Sequence, residues 1–443
     1  MMDRFRSYSR VADNTTSEYP VFSIAVAMAL LYISPFITSW IAVVSFAISL
    51  YRMVRYDVRV FVTDYCLLMP ISALTKAGGG VSLLIYLCLL AGIWFFLRSG
   101  VRSDASYVWL ILLLNFLIIR MQMNVSRFVL CFGQIFVLCI LLPKQDEESA
   151  ERSIKMFCLS LIVSSTYAFL FRNTSALRGI TGAASAGTWS YGVARFSGLF
   201  ADPNYYMTFL AVGIALLLKL RDSGRIRNTA FWVQSVWLTV FGIMTYSKTF
   251  FLMFVLLIGI MVLWQYWNGK YLHAITFTVI AAVVMLLAFT MENSPFAIVL
   301  HRFSGANDLG ELTTGRTDIY LLYIAEIFSD VGSFFFGKGM GAEGLYRDPH
   351  NLYLEITYYT GVIGLILFLG FFGAITAVMR KHPAVKVRQS LIAKYMILAI
   401  VMVLFFTLHG MYDLILYANI FLALLSMLIT RKEQNDEIAV QTG

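Results

Sequence analysis

The chain has 443 residues, of which 59% are hydrophobic and 13% charged. Soluble domains carry about 25% charged residues, so this share, with a mean hydropathy of +0.76, excludes an ordinary water-soluble protein. The formal net charge of +9 does not indicate nucleic acid, because most Lys and Arg stand in short segments between apolar runs, the distribution that membrane topology imposes.

The first eighteen residues are polar and basic, with Arg4, Arg6 and Arg10. They resemble the leading region of a secretory signal, but many apolar runs follow. An uncleaved first helix with a cytoplasmic amino terminus is therefore expected. A helix crosses the hydrocarbon core with about 20 apolar residues. Such runs lie near 20–36, 39–54, 60–75, 80–97, 106–121, 127–143, 154–171, 204–220, 230–246, 249–266, 272–290, 352–379, 390–408 and 412–430. They predict an all-α polytopic bundle of about 12–14 spans.

The connecting segments alternate in charge. Basic ones hold Arg52/Arg55/Arg59, Arg98/Arg102, Lys219/Arg221/Arg225/Arg227, Arg380/Lys381/Lys386/Arg388 and Arg431/Lys432, while 144–155 is mixed. Placing these in the cytoplasm satisfies the positive-inside rule with both termini inside. The chain then divides into amino-terminal spans (1–171), a first outer loop (172–203), central spans (204–290), a large outer loop (291–351), and carboxy-terminal spans with a short tail (352–443). The large loop holds four cations against eight acids. Within it, Thr314-Gly315-Arg316-Thr317-Asp318 precedes Ile319, Leu322, Tyr323 and Ile327, a helix start followed by an apolar stripe. The five cysteines lie in or beside apolar stretches without metal-ligand spacing, so they are expected in the core and unpaired.

Two places share one local design. Asp202-Pro203-Asn204 opens the span at 204, and Asp348-Pro349-His350-Asn351 opens the span at 352. Asp suits the N-cap and Pro the first helical position, so two helix N-termini with positive dipole ends are expected in one outer layer, suited to an anion. Cations are expected near that level: Arg195, Lys248 in Tyr246-Ser247-Lys248-Thr249, Arg120, Arg127, Arg302 and Arg316. An Arg fork matches phosphate geometry. The plain alternatives are ordinary helix starts and arginines snorkelling to the interface. His350 stands where a span emerges, with the potential of a general base. Glu355 falls inside an apolar run, where ionisable groups are costly and usually functional. Asp64 lies in another such run, facing the bundle or an ion pathway. No nucleotide loop, metal signature or nucleophile elbow is present, so neither cofactor nor metal is expected.

In order, Arg195-Phe196-Ser197-Gly198-Leu199-Phe200-Ala201-Asp202-Pro203-Asn204, Ser247-Lys248, Thr314-Gly315-Arg316, Gly339-Met340-Gly341 and His350-Asn351-Leu352-Tyr353-Leu354-Glu355 with Gly361 and Gly364 resemble the O-antigen ligase/polymerase superfamily over roughly 190–380. Lys248 stands where that family usually shows Arg. The resemblance implies a GT-C-like glycosyltransferase of the bacterial inner membrane, with a helical periplasmic loop and a periplasmic active site. Its donor would be an undecaprenyl-diphosphate-linked oligosaccharide. His350, Arg195 and Arg316 would be catalytic. Lys248, Arg302, Asp202, Asn204, Asn351 and Glu355 would bind the diphosphate or glycan. The implied reaction is polymerisation of repeat units into O-antigen, capsule or exopolysaccharide, with a chain-length regulator as a partner beside the membrane lipid. A ligase passing glycan to lipid A core is the second reading, and a lipid-linked glycan flippase the third. Polar residues clustered at one face favour an enzyme over a flippase, which should line a mid-membrane cavity.

Overall fold

Helices occupy the apolar runs because hydrocarbon offers no partner to a backbone N–H or C=O, and a helix bonds these groups within itself. The computed structural model describes residues 19–76, 81–99, 105–120, 125–177, 195–200, 202–267, 316–339, 348–382, 391–408 and 413–430, with isolated positions between these segments. In chain order the helices are α1 (Val21–Ile37), α2 (Ile41–Arg55), α3 (Val58–Leu68), α4 (Leu83–Ser99), α5 (Ala105–Arg120), α6 (Val125–Leu141) and α7 (Glu147–Phe171). They continue with α8 (Pro203–Asp222), α9 (Asn228–Met244), α10 (Lys248–Trp267), α11 (Arg316–Ile327), α12 (Val331–Phe336), α13 (Leu352–Arg380), α14 (Leu391–Leu404) and α15 (Leu414–Ser426). Among the described residues the fold is all-helical, and the one β contact is the isolated bridge between Lys76 and Ser82. The span predicted at 272–290 and the loop from 291 to 315 lie almost entirely outside the described residues.

Four stretches are long and apolar enough to cross a membrane: Val58–Thr75, Glu147–Phe171, Pro203–Asp222 and Leu352–Arg380. Shorter apolar helices accompany them, α1 and α15 among these. The first of the four is not uniform. Pro70 supplies no N–H and obstructs the preceding turn, and the chain tightens into a 3-10 helix over Met69–Thr75.

At the centre stands α8, packed against α7, α9, α10, α14 and α15. Nearly all of its side chains are buried. Elsewhere large apolar side chains face outward, such as Phe22, Val233 and Leu252. On a water-exposed surface these would form extended apolar patches; against acyl chains they are matched. α13 packs along α5, α4 along α6, and α3 along α7.

The polar ends of the bundle differ. At one end Arg225 pairs with Glu151 at 3.2 Å and also with Glu147. Glu147 in turn accepts from the backbone N–H of Thr430 at 3.0 Å, and Arg59 pairs with Asp146 at 3.1 Å. This end thus gathers several of the basic segments. Among the described residues, two members of the expected basic set are buried rather than solvated, however, and the first is Lys219, 4% exposed in the last turn of α8. The second, Arg52, is 1% exposed and lies inside the bundle against Asp64.

Candidate functional site

The opposite end begins with the turn that feeds α8. Asp202 adopts extended backbone and accepts from the Asn204 N–H, with Pro203 at the first helical position. Upstream, Gly198 turns the chain at φ +57° with its Cα against the Tyr206 ring, where a Cβ would come within 2.7 Å. Phe196 and Phe200 pack on the same ring, with centroids 5.6 and 5.7 Å away. The Phe196 N–H donates to the Met244 carbonyl at 3.0 Å, which fastens this strip to the turn between α9 and α10.

That fastening positions Arg195. Its Nε donates to the Thr245 carbonyl at 2.8 Å, and Nη2 donates to Asn204 Oδ1 at 3.2 Å. Ser247 Oγ donates to the same Oδ1 at 3.0 Å. Lys248 follows as the first residue of α10. The structure therefore brings Arg195, Asp202, Asn204 and the Ser247-Lys248 turn together at two helix N-termini.

The second expected start is corrected. α13 is capped by Asn351, whose Oδ1 accepts from the N–H groups of Tyr353 and Leu354 at 3.0 and 3.2 Å. Asp348-Pro349 is not its cap and first residue. The reason is His350, which sits at φ +46°; a helix begun at Pro349 could not run through a left-handed residue. Tyr320 of α11 donates its hydroxyl to the His350 carbonyl at 3.4 Å and to the Phe406 carbonyl at 3.2 Å. Burial raises the Tyr320 hydroxyl above its ordinary value, against the charge of Arg316 and a hydrogen bond with Asn351. Arg316, at the head of α11, thus joins the His350-Asn351 turn by way of Tyr320. Glu355 is buried in the first turn of α13.

Tyr205 links the two groups. The charges of Asp413, Glu355, Asp202 and Asp348 all reach it. Asp413 caps α15, accepting from the Ile415 N–H at 3.0 Å. Four helix N-termini, those of α8, α10, α13 and α15, therefore converge where two were expected. Tyr205, Tyr320 and the capping role of Asp413 were missed. The adjacent sequence Asp202-Pro203-Asn204-Tyr205-Tyr206 carries a faint signal for the first, since a tyrosine just inside a capped helix start stands beside the caps. Nothing local announces Tyr320.

Among the described residues the only non-glycine residues at positive φ are Tyr246, at φ +47°, and His350. Both lie in the turns just described, and such strained backbone tends to gather at functional sites. Arg302 lies outside the described residues, and the side chains of Arg120 and Arg127 are likewise not described. Among the described residues no group of three His, Cys, Asp or Glu side chains could hold a metal ion.

The apolar helices long enough to span a bilayer, with a constellation of cations, carboxylates and helix N-termini at one end, define the class: an all-helical membrane protein. Compared with protein-family models, with curated proteins and with solved structures, the chain matches none.

Proposed function

We propose that the chain is a GT-C-like glycosyltransferase of about 12–14 spans in the bacterial inner membrane, polymerising oligosaccharide repeat units from undecaprenyl diphosphate at the periplasmic face. The observation that carries this reading is the junction of Arg195, Asn204 and Ser247 at the N-termini of α8 and α10, beside Lys248. A fixed guanidinium, an ammonium and two helix N-termini suit a diphosphate, and no nucleotide loop accompanies them. The energy for transfer then resides in the lipid-linked donor itself.

In the proposed reaction an acceptor hydroxyl attacks the anomeric carbon of the donor. A new C–O bond forms with inversion, and the bond from that carbon to the diphosphate oxygen breaks. The hydroxyl proton passes to His350, and undecaprenyl diphosphate departs with its charge held by Arg195, Lys248 and Arg316. Stabilising charge where it develops is often the largest catalytic contribution. Asp202, Asn204, Asn351 and Glu355 orient the glycan hydroxyls, and Arg302 adds a cation from the large loop. Keeping two lipid-tethered chains in one layer supplies proximity.

The test is to delete the gene and size the glycan on both carriers. Loss of a polymerase leaves single repeat units on the lipid A core. Long chains stranded on undecaprenyl diphosphate would replace polymerase with ligase, and single units trapped in the cytoplasm would indicate a flippase. In the same assay Arg195→Ala and His350→Ala should match the deletion at normal protein abundance. Arg195→Lys should recover poorly, since an ammonium cannot replace a fork. Polymer of normal length and amount from Arg195→Ala would overturn the proposed site.

A further inference from the structure

α13 is broken. Gly361 stands at φ +67° and ψ −176° within it, so the normal hydrogen-bond ladder is interrupted there. A segment from the large loop occupies the break. The Lys338 N–H donates to the Tyr358 carbonyl at 2.8 Å and the Gly339 N–H to the Tyr359 carbonyl at 3.0 Å. The fit leaves no room for side chains: a Cβ on Gly337 would meet the Tyr359 backbone at 2.4 Å, and one on Gly361 would meet the Phe335 carbonyl at 2.2 Å.

Helix lengths set the level of this break. From 362 to 380, α13 runs about 28 Å at 1.5 Å per residue, close to the roughly 30 Å of a hydrocarbon core. The stretch from 352 to 360 adds about 13 Å beyond it. α5 gives a second reading. It runs antiparallel to α13, since Gly370 abuts Trp109 and Gly364 abuts Phe116. Its last residue, Arg120, is one turn past Phe116 and therefore falls near Thr360. Both measures put the boundary of the hydrocarbon core close to Gly361.

α11 and α12 sit at that boundary with unmatched apolar surface. α11 descends beside the first part of α13, with Tyr320 at the level of His350 and Tyr323 and Ile327 buried against Tyr358. Its other face is apolar as well: Leu321 is 60% exposed, Ile324 39% and Phe328 65%. In α12, Val331 is 74% and Phe336 49% exposed. Past its polar first turn, Arg316 to Asp318, α11 carries one charged residue, Glu326, and an outer face this apolar belongs in a core or in lipid. This surface continues into that of α13 just past the break, where Ile366 and Leu369 are also exposed. The polar groups of the hairpin are drawn together, Lys338 lying 3.3 Å from Glu326 and 3.8 Å from Asp330.

We infer that α11 and α12 form an interfacial hairpin seated in the lipid leaflet at the site's end of the bundle, with Phe328, Val331 and Phe336 among the acyl chains and Lys338, Glu326 and Asp330 at headgroup level. Interfacial helices bury their apolar face about 5–10 Å into the headgroup and acyl boundary. The occupant of this face is bilayer lipid. The inference rests on the membrane reading alone and stands whether or not the chain is a transferase.

Bimane attached to Val331→Cys, Phe336→Cys or the exposed control Asp318→Cys tests it, in proteoliposomes of phosphatidylcholine with or without brominated acyl chains. The five native cysteines are buried, so the label goes to the new thiol. At 331 and 336 brominated lipid should remove most of the emission, more strongly with bromine high on the chain than near its end, while iodide in the buffer has little effect. At 318 the pattern should reverse. Iodide quenching at 331 and 336 equal to that at 318, without a bromine effect, would place the face in water and overturn the inference. Bromine-insensitive emission together with 331–331 crosslinks between chains would assign the face to a second copy and overturn it equally.

Discussion

Asp64 shows what a sequence read along one chain direction cannot resolve. A carboxylate in an apolar run announces itself, but its partner does not, because Arg52 looks like any arginine at the end of a span. In the fold the two form a forked pair, Nε to Oδ2 at 2.6 Å and Nη2 to Oδ1 at 2.8 Å. Arg52 also donates to the Pro20 carbonyl at 2.6 Å, and the Tyr19 hydroxyl donates to Asp64. The network thus ties the start of α1 to α2 and α3, which favours a structural role over an ion pathway. Removing one partner of such a pair leaves a buried charge uncompensated, at a cost of about 3–5 kcal/mol, whereas replacing both with apolar residues is often close to neutral. Asp64→Ala should therefore melt far below the parent in detergent, and Arg52→Leu with Asp64→Leu should recover most of the loss. A double variant that melts lower still, by the sum of the two single losses, would mean that the two groups act independently. The turn at His350 carries the same lesson: its place just before a span was legible, but its left-handed backbone, which hands the cap to Asn351, was not, and Tyr320 meets it from a distant helix.

Helix positions were legible because lipid enforces them. The run expected at 204–220 is a helix over Pro203–Asp222, and the run at 352–379 is one over Leu352–Arg380. The apolar stripe from Ile319 to Ile327 is α11; Tyr323 and Ile327 are buried and Ile319 packs against them, whereas Leu322 of the same expected stripe is 54% exposed. The break at Gly361 was not legible, because Gly361 resembles the other glycines of α13 until Lys338 and Gly339 arrive from a distant segment. α12 escaped for a related reason: six residues are too few for periodicity, and its start depends on Asp330 capping the Ser333 N–H at 2.8 Å. Beyond the far end of α13 stands His382. Burial holds its imidazole below the ordinary value, against the charge of Asp146 and a hydrogen bond to the Gln145 backbone. In the window between the two pKa values the unfolded chain binds more protons than the folded one, so stability there rises with pH. The contribution is complete above the unfolded value of about 6.5 and is lost as pH falls below it toward the lower folded value. His382→Asn should flatten that part of a curve of melting temperature against pH, and an unchanged slope would remove His382 as its source.

The two ends of the molecule explain each other. At one, arginines and lysines of several connecting segments meet carboxylates, as Arg225 does with Glu147 and Glu151 and Arg59 with Asp146. At the other, four helices begin, so backbone N–H groups and positive dipole ends face a common layer beside Arg195. The positive-inside rule, by which Lys and Arg in short loops stay in the cytoplasm, gives this division an expected orientation. On that expectation the basic end faces the cytoplasm, and α8 and α13 start on the far side with their caps and turns. The proposed function depends on this orientation, because a site fed by a donor already carried across the membrane has to open away from the cytoplasm. Single cysteines at exposed positions test it. Asn173 follows the far end of α7, and Asn228 begins α9 beside the Arg225 cluster. An impermeant maleimide added to intact spheroplasts should label Asn173→Cys and Asp318→Cys, and should reach Asn228→Cys only after the membrane is opened. Labelling of Asn228→Cys in intact spheroplasts, with Asn173→Cys protected, would invert the molecule. The constellation around Arg195 and His350 would then face cytoplasmic substrates, and transfer at the periplasmic face would fail even if every contact within the site stood as described.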